Sequence, residues 1–261
     1  MKRVLVVNYS QTGQLSDITE RVIAPLRAAG HDVHLETLVP ETPFPFPWPI
    51  VDFFDAFPEC VQLDAPPLRQ LGIALHTVQD AKGRLPTEHG SHPSFYKPLL
   101  PYMEQAGAED NRPIKEFLCP SRRGIVAGAK RDYGYAASNG GASAGASVLD
   151  HPDGVTLSEI TNKNGTTNTL LLSHLWLDPQ HYNGGDPTDL GWATKNNSRT
   201  INNSAKPDAD ATGSIQYIGG PHPNVCPSLF ADAHAANMPY TFAQWAQAWA
   251  WTNTQPIQGL P

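Results

Sequence analysis

The sequence is short of long apolar runs. The longest near its start is Val4 to Val7. A membrane-spanning helix needs ~20 apolar residues, and the core of a secretory signal also needs more than this, despite the basic residues ahead of the run. Positive charge is scarce as well. There are 18 Lys and Arg against 25 Asp and Glu, for a net charge of −7. That balance excludes an electrostatic grip on nucleic acid or on an anionic membrane surface. Cysteine is rare. Cys60, Cys119 and Cys226 leave at least one thiol unpaired, and their spacing matches no paired C-x-x-C zinc pattern. A Cys119–Cys226 disulfide would need an oxidising compartment. Together these shortages predict a soluble chain that is not exported, with both thiols reduced in the cytoplasm.

Punctuation, by contrast, is plentiful. The 21 Gly and 25 Pro, with Asn dense after position 139, predict modest helix content and many loops in the second half. The first 67 residues are better ordered as a pattern. Val4–Val7 reads as a strand buried on both faces. A polar loop, Tyr9 to Gln14, follows it. Leu15, Ile18, Val22, Ile23 and Leu26 then recur at helical spacing, and Gly30 stands where a left-handed helix stop is wanted. Asp32 to Val39 alternates as a second strand. Strand, helix and strand make one βαβ unit. With no third strand in view, it leaves an open edge and an uncovered apolar face.

The loop has a chemistry of its own. Unpaired amides at a helix start favour anions. Ser10 and Thr12 add hydroxyl donors, and Gly13 allows close approach of the backbone. Ser10, Gln11, Thr12, Gly13 and Gln14 therefore suit a terminal phosphate, and they equally suit an ordinary polar turn capping a helix. Beyond them, prolines run from Pro40 to Pro67, interleaved with Phe44, Phe46, Trp48, Phe53, Phe54 and Phe57. This segment reads as an irregular aromatic stretch packed on a neighbour, or as the rim of a ligand or partner site.

NYSQTGQ after a buried first strand resembles the phosphate loop of flavodoxin-like flavoproteins. The stretch ETPFPFPWPIVDFFDAFPE is similar to the branch identified as dialkylresorcinol condensing enzymes. The resemblance implies that Ser10, Gln11, Thr12, Gly13 and Gln14 contact the phosphate of FMN. It ends near Pro67, and no segment downstream supplies the loops that would hold the flavin ring.

From Leu68 the pattern changes. Leu68, Leu71, Leu75 and Val78 share one helical face, with Gly83 and Pro86 as the stop. Short β-prone pieces follow, among them Thr169–Leu172 and Ser214–Ile218. One helix ahead of several short strands predicts a sheet packed on that helix. Phe242, Trp245 and Trp249 predict a short terminal helix that buries its aromatics. The signatures LRQLGIALH, GRLP, LLPYMEQ, FLCPSRR, DYGYAASNGG, GTTNTLLLSH, GGPHP and LFADAH, in this order, resemble the DUF1559 pilin-like family of planctomycetes. Its members begin with a prepilin-type segment related to type II secretion and live at the cell envelope. The resemblance implies a head of β-strands and long loops, and self-association or envelope partners. The membrane helix expected before LRQLGIALH is replaced here by the flavoprotein-like fragment, so no membrane insertion is expected of this chain. The family pattern ends in a strand like FADGSV. Ala233-His234-Ala235 departs from it, which puts the final strand pairing in question.

Several polar clusters invite a catalytic or metal reading. His222, Cys226, Asp232 and His234 are metal-ligand types, but their intervals match no metal motif, and His222 lies in a Pro-His-Pro turn. Asp178, His181, Asp186 and Asp189 share a glycine-containing loop without the ordered calcium pattern. Ser121, Ser173 and His174 lack a G-x-S-x-G elbow. None of these groups is assigned a role. The sequence thus predicts a mixed α/β and α+β chain: a truncated flavodoxin-like βαβ unit over 1–67, joined to a pilin-like head over 68–261. The expected function is that of a non-enzymatic structural or surface protein without a cofactor. The alternative is an FMN-binding oxidoreductase relic.

Overall fold

A computed structural model describes residues 2–8, 14–37, 66–137, 146–195 and 204–261. The chain divides into two compact units, Met1–Leu63 and Asp64–Pro261. Its fold is mixed: a parallel two-stranded sheet in the first unit and an antiparallel four-stranded sheet in the second. No helix among the described residues is long and apolar enough to cross a membrane.

In the first unit, strand β1 (Arg3–Asn8) pairs in parallel with β2 (Asp32–Thr37), Arg3 opposite Asp32 and Asn8 opposite Thr37. Helix α1 (Gln14–Ala28) connects them. It stops at Gly30, whose φ of +75° is open to a residue without Cβ, and His31 N–H returns to the Leu26 carbonyl at 3.1 Å. The expectation that Val4–Val7 is buried on both faces fails. Leu5 and Val7 are 64% and 56% exposed. Val4 and Val6 are half-buried. A strand alternates its faces, and this alternation leaves one of them open. Burial on α1 is just as sparse. Ile23 is fully buried and Leu26 half-buried, while Ile18 and Val22 are exposed.

The second unit begins with helix α2 (Pro66–Lys82). Leu68, Leu71, Ala74, Leu75 and Val78 are buried at the helical spacing that the sequence shows, and Ile73 on the opposite side is exposed. Burying each such leucine stabilises the fold by about 1.5–3 kcal/mol. Gly83 ends the helix at φ +78°.

The sheet order is β3 (Tyr133–Gly134), β4 (Leu170–His174), β5 (Val225–Phe230), β6 (Ala235–Pro239). The register sets Tyr133 opposite His174, Ser173 opposite Ser228 and Cys226 opposite Met238, with a bulge between Leu170 and Leu172. Gly72 lets α2 approach β5 closely. A Cβ there would lie 3.0 Å from Leu229 Cδ1. His76 Nε2 also reaches the Ala231 carbonyl at 2.9 Å. The final pairing does form: Ala233 turns the β5–β6 hairpin at φ +68°, and Phe230 N–H donates to the His234 carbonyl at 2.9 Å. Ser214–Ile218, expected to be a strand, is a turn closed by Tyr217 N–H on the Ser214 carbonyl. Its one ladder contact is the isolated bridge of Ile218 to Leu175. Helix α3 (Leu157–Thr161) starts at a Thr156–Glu159 capping box. Helix α4 (Trp245–Trp249) buries both tryptophans. Phe95 stacks on Tyr96, Tyr96 meets Phe117 at a tilt, and Phe117 meets Trp192 edge to face.

Candidate functional site

Buried charge is the distinctive chemistry of the second unit. The turn after Cys119 places Arg122 and Arg123 side by side, with both N–H groups donating to the Cys119 carbonyl. Arg122 Nη1 donates to Asp132 Oδ1 at 2.9 Å, and its Nε and Nη2 donate to Asp208 Oδ2 at 3.0 and 2.8 Å. Arg123 grips Asp189 with two bonds, of 2.6 and 3.0 Å, and lies 2.7 Å from Asp132. Asp132 also accepts the Cys119 N–H at 2.7 Å. Asp208 takes the Tyr182 hydroxyl and the Leu177 N–H as well. Arg131 pairs with Glu88 at 3.6 Å and lies over the Tyr96 ring.

Burial opposes the charge of Arg122, but Asp132 and Asp208 more than offset it, and the guanidinium is held above its ordinary range. A buried charge persists only with such partners.

Next to this network stand Cys119, His174 and His222. One ligand-capable atom of each lies within 4.8 Å of the others, the one such grouping of three among the described residues. Cys119 Sγ is 3.8 Å from His222 Nε2. His174 ends β4, is 1% exposed, and meets the Tyr133 and His222 rings at 4.8 and 5.2 Å. Its Nδ1 has no hydrogen-bond partner. Leaving such a buried atom unsatisfied costs about 1–3 kcal/mol. His222 is half-buried. Burial lowers the pKa of both imidazoles, Arg122 adds to it, and His174 falls well below the usual range. Burial raises the Cys119 thiol, against the pull of Arg122. Neutral imidazoles, and a cysteine thiolate formed when an incoming cation displaces the thiol proton to solvent, are donors for a borderline-soft metal.

The residues singled out in the sequence fare differently. Ser10, Gln11, Thr12 and Gly13 lie outside the described residues, and Gln14 is described only as the first residue of α1. Cys119 and Cys226 are both free and buried. Cys226 contacts the Ser173 hydroxyl at 3.1 Å, and Ser173 is tied to Ser228 at 2.9 Å, so this serine is locked inside the sheet. Ser121 is exposed in the turn between Cys119 and Arg122. Asp232 accepts the His234 N–H in the β5–β6 turn. His222 therefore joins Cys119 and His174, and not its chain neighbours Cys226, Asp232 and His234. In the glycine-containing loop, Asp178 accepts the Gln180 N–H, Asp186 accepts from Thr188, and Asp189 is engaged by Arg123. The carboxylates are thus directed to separate partners. Sequence reasoning missed Arg122, Arg123, Asp132 and Asp208 altogether. The signal was the pair of adjacent arginines in FLCPSRR, which had to meet acids if it folded inward. Comparison with protein-family models, with curated proteins and with solved structures finds no match for this chain.

Proposed function

We propose that the chain is a non-enzymatic, pilin-like structural or surface protein that acts through the loops of its head and through contacts between copies. The observation that carries this reading is convergence. The stretches FLCPSRR, DYGYAASNGG, GTTNTLLLSH and GGPHP are far apart in sequence. They supply Arg122, Asp132, His174 and Gly219, which meet in or beside one buried network. Helix α2 on an antiparallel sheet is also the architecture that the pilin-like resemblance implies. Ion pairs that bridge segments this distant favour a single rigid arrangement of the head, which a repeating subunit needs. Ile125 and Val126, 56% and 89% exposed, offer apolar surface to a second copy. Sedimentation velocity over a wide concentration range should show reversible, ordered growth, and Val126→Asp should suppress it. Strict monomers at the highest soluble concentration would overturn the reading.

A second reading keeps FMN phosphate at Ser10–Gln14. It is favoured by the parallel β1–β2 pair with α1 opening at Gln14. In this reading the flavin supplies the redox chemistry and the chain supplies position. Titration of the protein with FMN tests it: unchanged flavin absorbance and fluorescence would remove it.

A further inference from the structure

We propose that Cys119, His174 and His222 are the three protein ligands of a zinc site on the head. A tetrahedral zinc with bonds of about 2.3 Å to sulfur and about 2.0 Å to nitrogen spaces its ligand atoms about 3.5 Å apart. The three donors lie within 4.8 Å of one another, and the Cys119–His222 pair is already at 3.8 Å. Closing the remaining gap asks for side-chain shifts of about 1 Å, and His222 is the half-buried member of the set. The donor types choose the ion. One sulfur and two imidazoles suit zinc, whereas calcium and magnesium want oxygens.

The supports are built in from three directions. The backbone of Cys119 is pinned by Asp132, and His174 is held at the end of β4. His222 lies in the Pro221–Pro223 turn just after Gly220. A Cβ on Gly220 would lie 2.6 Å from His174 Nδ1, so only glycine leaves that imidazole its place. The unpartnered Nδ1 of His174, on a residue 1% exposed, is the second sign of a ligand. A buried ring nitrogen without a protein partner calls for a reason, and a bound cation beside Cys119 and His222 supplies one. Arg122 is a neighbouring cation that opposes a metal here, and Asp132 and Asp208 already pair with it. Three protein ligands leave a fourth position for water, and the partial exposure of His222 gives the ion a way in.

The test uses the full-length, tag-free protein, stripped with chelator and then loaded with cobalt(II) and zinc. One cobalt per chain is expected, with four-coordinate ligand-field bands and a thiolate-to-cobalt charge-transfer band, both lost on adding zinc. His222→Gln should weaken zinc binding at least about 100-fold with an unchanged circular dichroism spectrum. Cys60→Ser should change nothing, and Cys119→Ser should abolish the charge-transfer band. Should Cys119→Ser fail to fold, zinc must instead protect Cys119 of the wild type from alkylation, read by mass spectrometry. A folded wild type that takes up neither metal would overturn the site. So would cobalt without the thiolate band, unchanged affinity in His222→Gln, or uptake of copper(I) alone.

Discussion

The carboxylate of Asp132 is 0% exposed and serves three donors at once: Cys119 N–H, Arg122 and Arg123. Its own backbone carries the link onward. Asp132 N–H donates to the Phe117 carbonyl, and the Asp132 carbonyl accepts from Leu175 N–H beyond β4. Asp132→Asn keeps the shape and removes the charge, leaving two buried guanidiniums short of an anion. Removing one partner of a buried pair costs about 3–5 kcal/mol. At about 2–4 °C per kcal/mol for a domain of this size, calorimetry should show the second unit melting roughly 6–20 °C lower. A melting point within error of the wild type would mean that the pairs are not holding the turn. Very little of this was legible in the sequence. Cys119 and His222 are 103 positions apart, and no local pattern pairs residues over that distance. His222, Cys226, Asp232 and His234 were grouped by nearness along the chain, whereas the turn before β5 sends His222 to β4 and the β5–β6 hairpin carries Asp232 and His234 away from it.

Elements were legible where a period is long and both of its faces have different fates. Helix α2 is the clearest, because Leu68, Leu71, Leu75 and Val78 repeat over three turns and all are buried. Strand β4 was visible as an apolar run. Strand β5 was not, since Pro227 sits in its middle and proline argues against an interior strand. In the sheet it lies opposite Asn237 of β6, while the irregularity in β4 at Leu170–Leu172 faces the far end of β5 at Leu229 and Phe230. Val4–Val7 was misread because a short apolar run cannot state how many layers will cover it. Helix α3 has only five residues, and its start depends on the reciprocal capping of Thr156 and Glu159. The Glu159 carboxylate accepts the Thr156 N–H at 2.8 Å and its hydroxyl at 2.9 Å. These bonds hold its pKa below the usual carboxylate range, with help from Arg84. A depressed carboxylate contributes stability that is complete above the unfolded value, about 4.3, and that is lost as pH falls through the folded value. Glu159→Gln should therefore melt below the wild type at neutral pH, and the gap should narrow as the pH falls below the unfolded value. Thermal melts across that range check the sign. A gap that widens in acid would exclude the carboxylate as the cause.

The two units of the whole molecule differ in how much each can bury. Among the described residues of the first, Ile23 is the one fully buried apolar side chain, while Leu5, Val7, Ile18 and Val22 stay exposed. A two-stranded sheet is marginal in water unless a helix covers it, and the described residues of α1 bury little against this one. The second unit buries one face of α2, all of β4 and the aromatic cluster of Phe95, Tyr96, Phe117 and Trp192. Local opening free energies follow buried apolar contact, so the ladders of the two units should open independently and at very different cost. Native-state hydrogen exchange followed by mass spectrometry should find the β1 and β2 amides exchanging about 100-fold or more faster than those of β4 and β5. If the second unit is the part that works, destabilising it with Asp132→Asn should speed exchange in β4 and β5 and leave β1 and β2 as they were. Protection in β1 and β2 equal to that in β4, or a coupled response to that substitution, would mean that the chain unfolds as one cooperative body and that the first unit shares in whatever the second does.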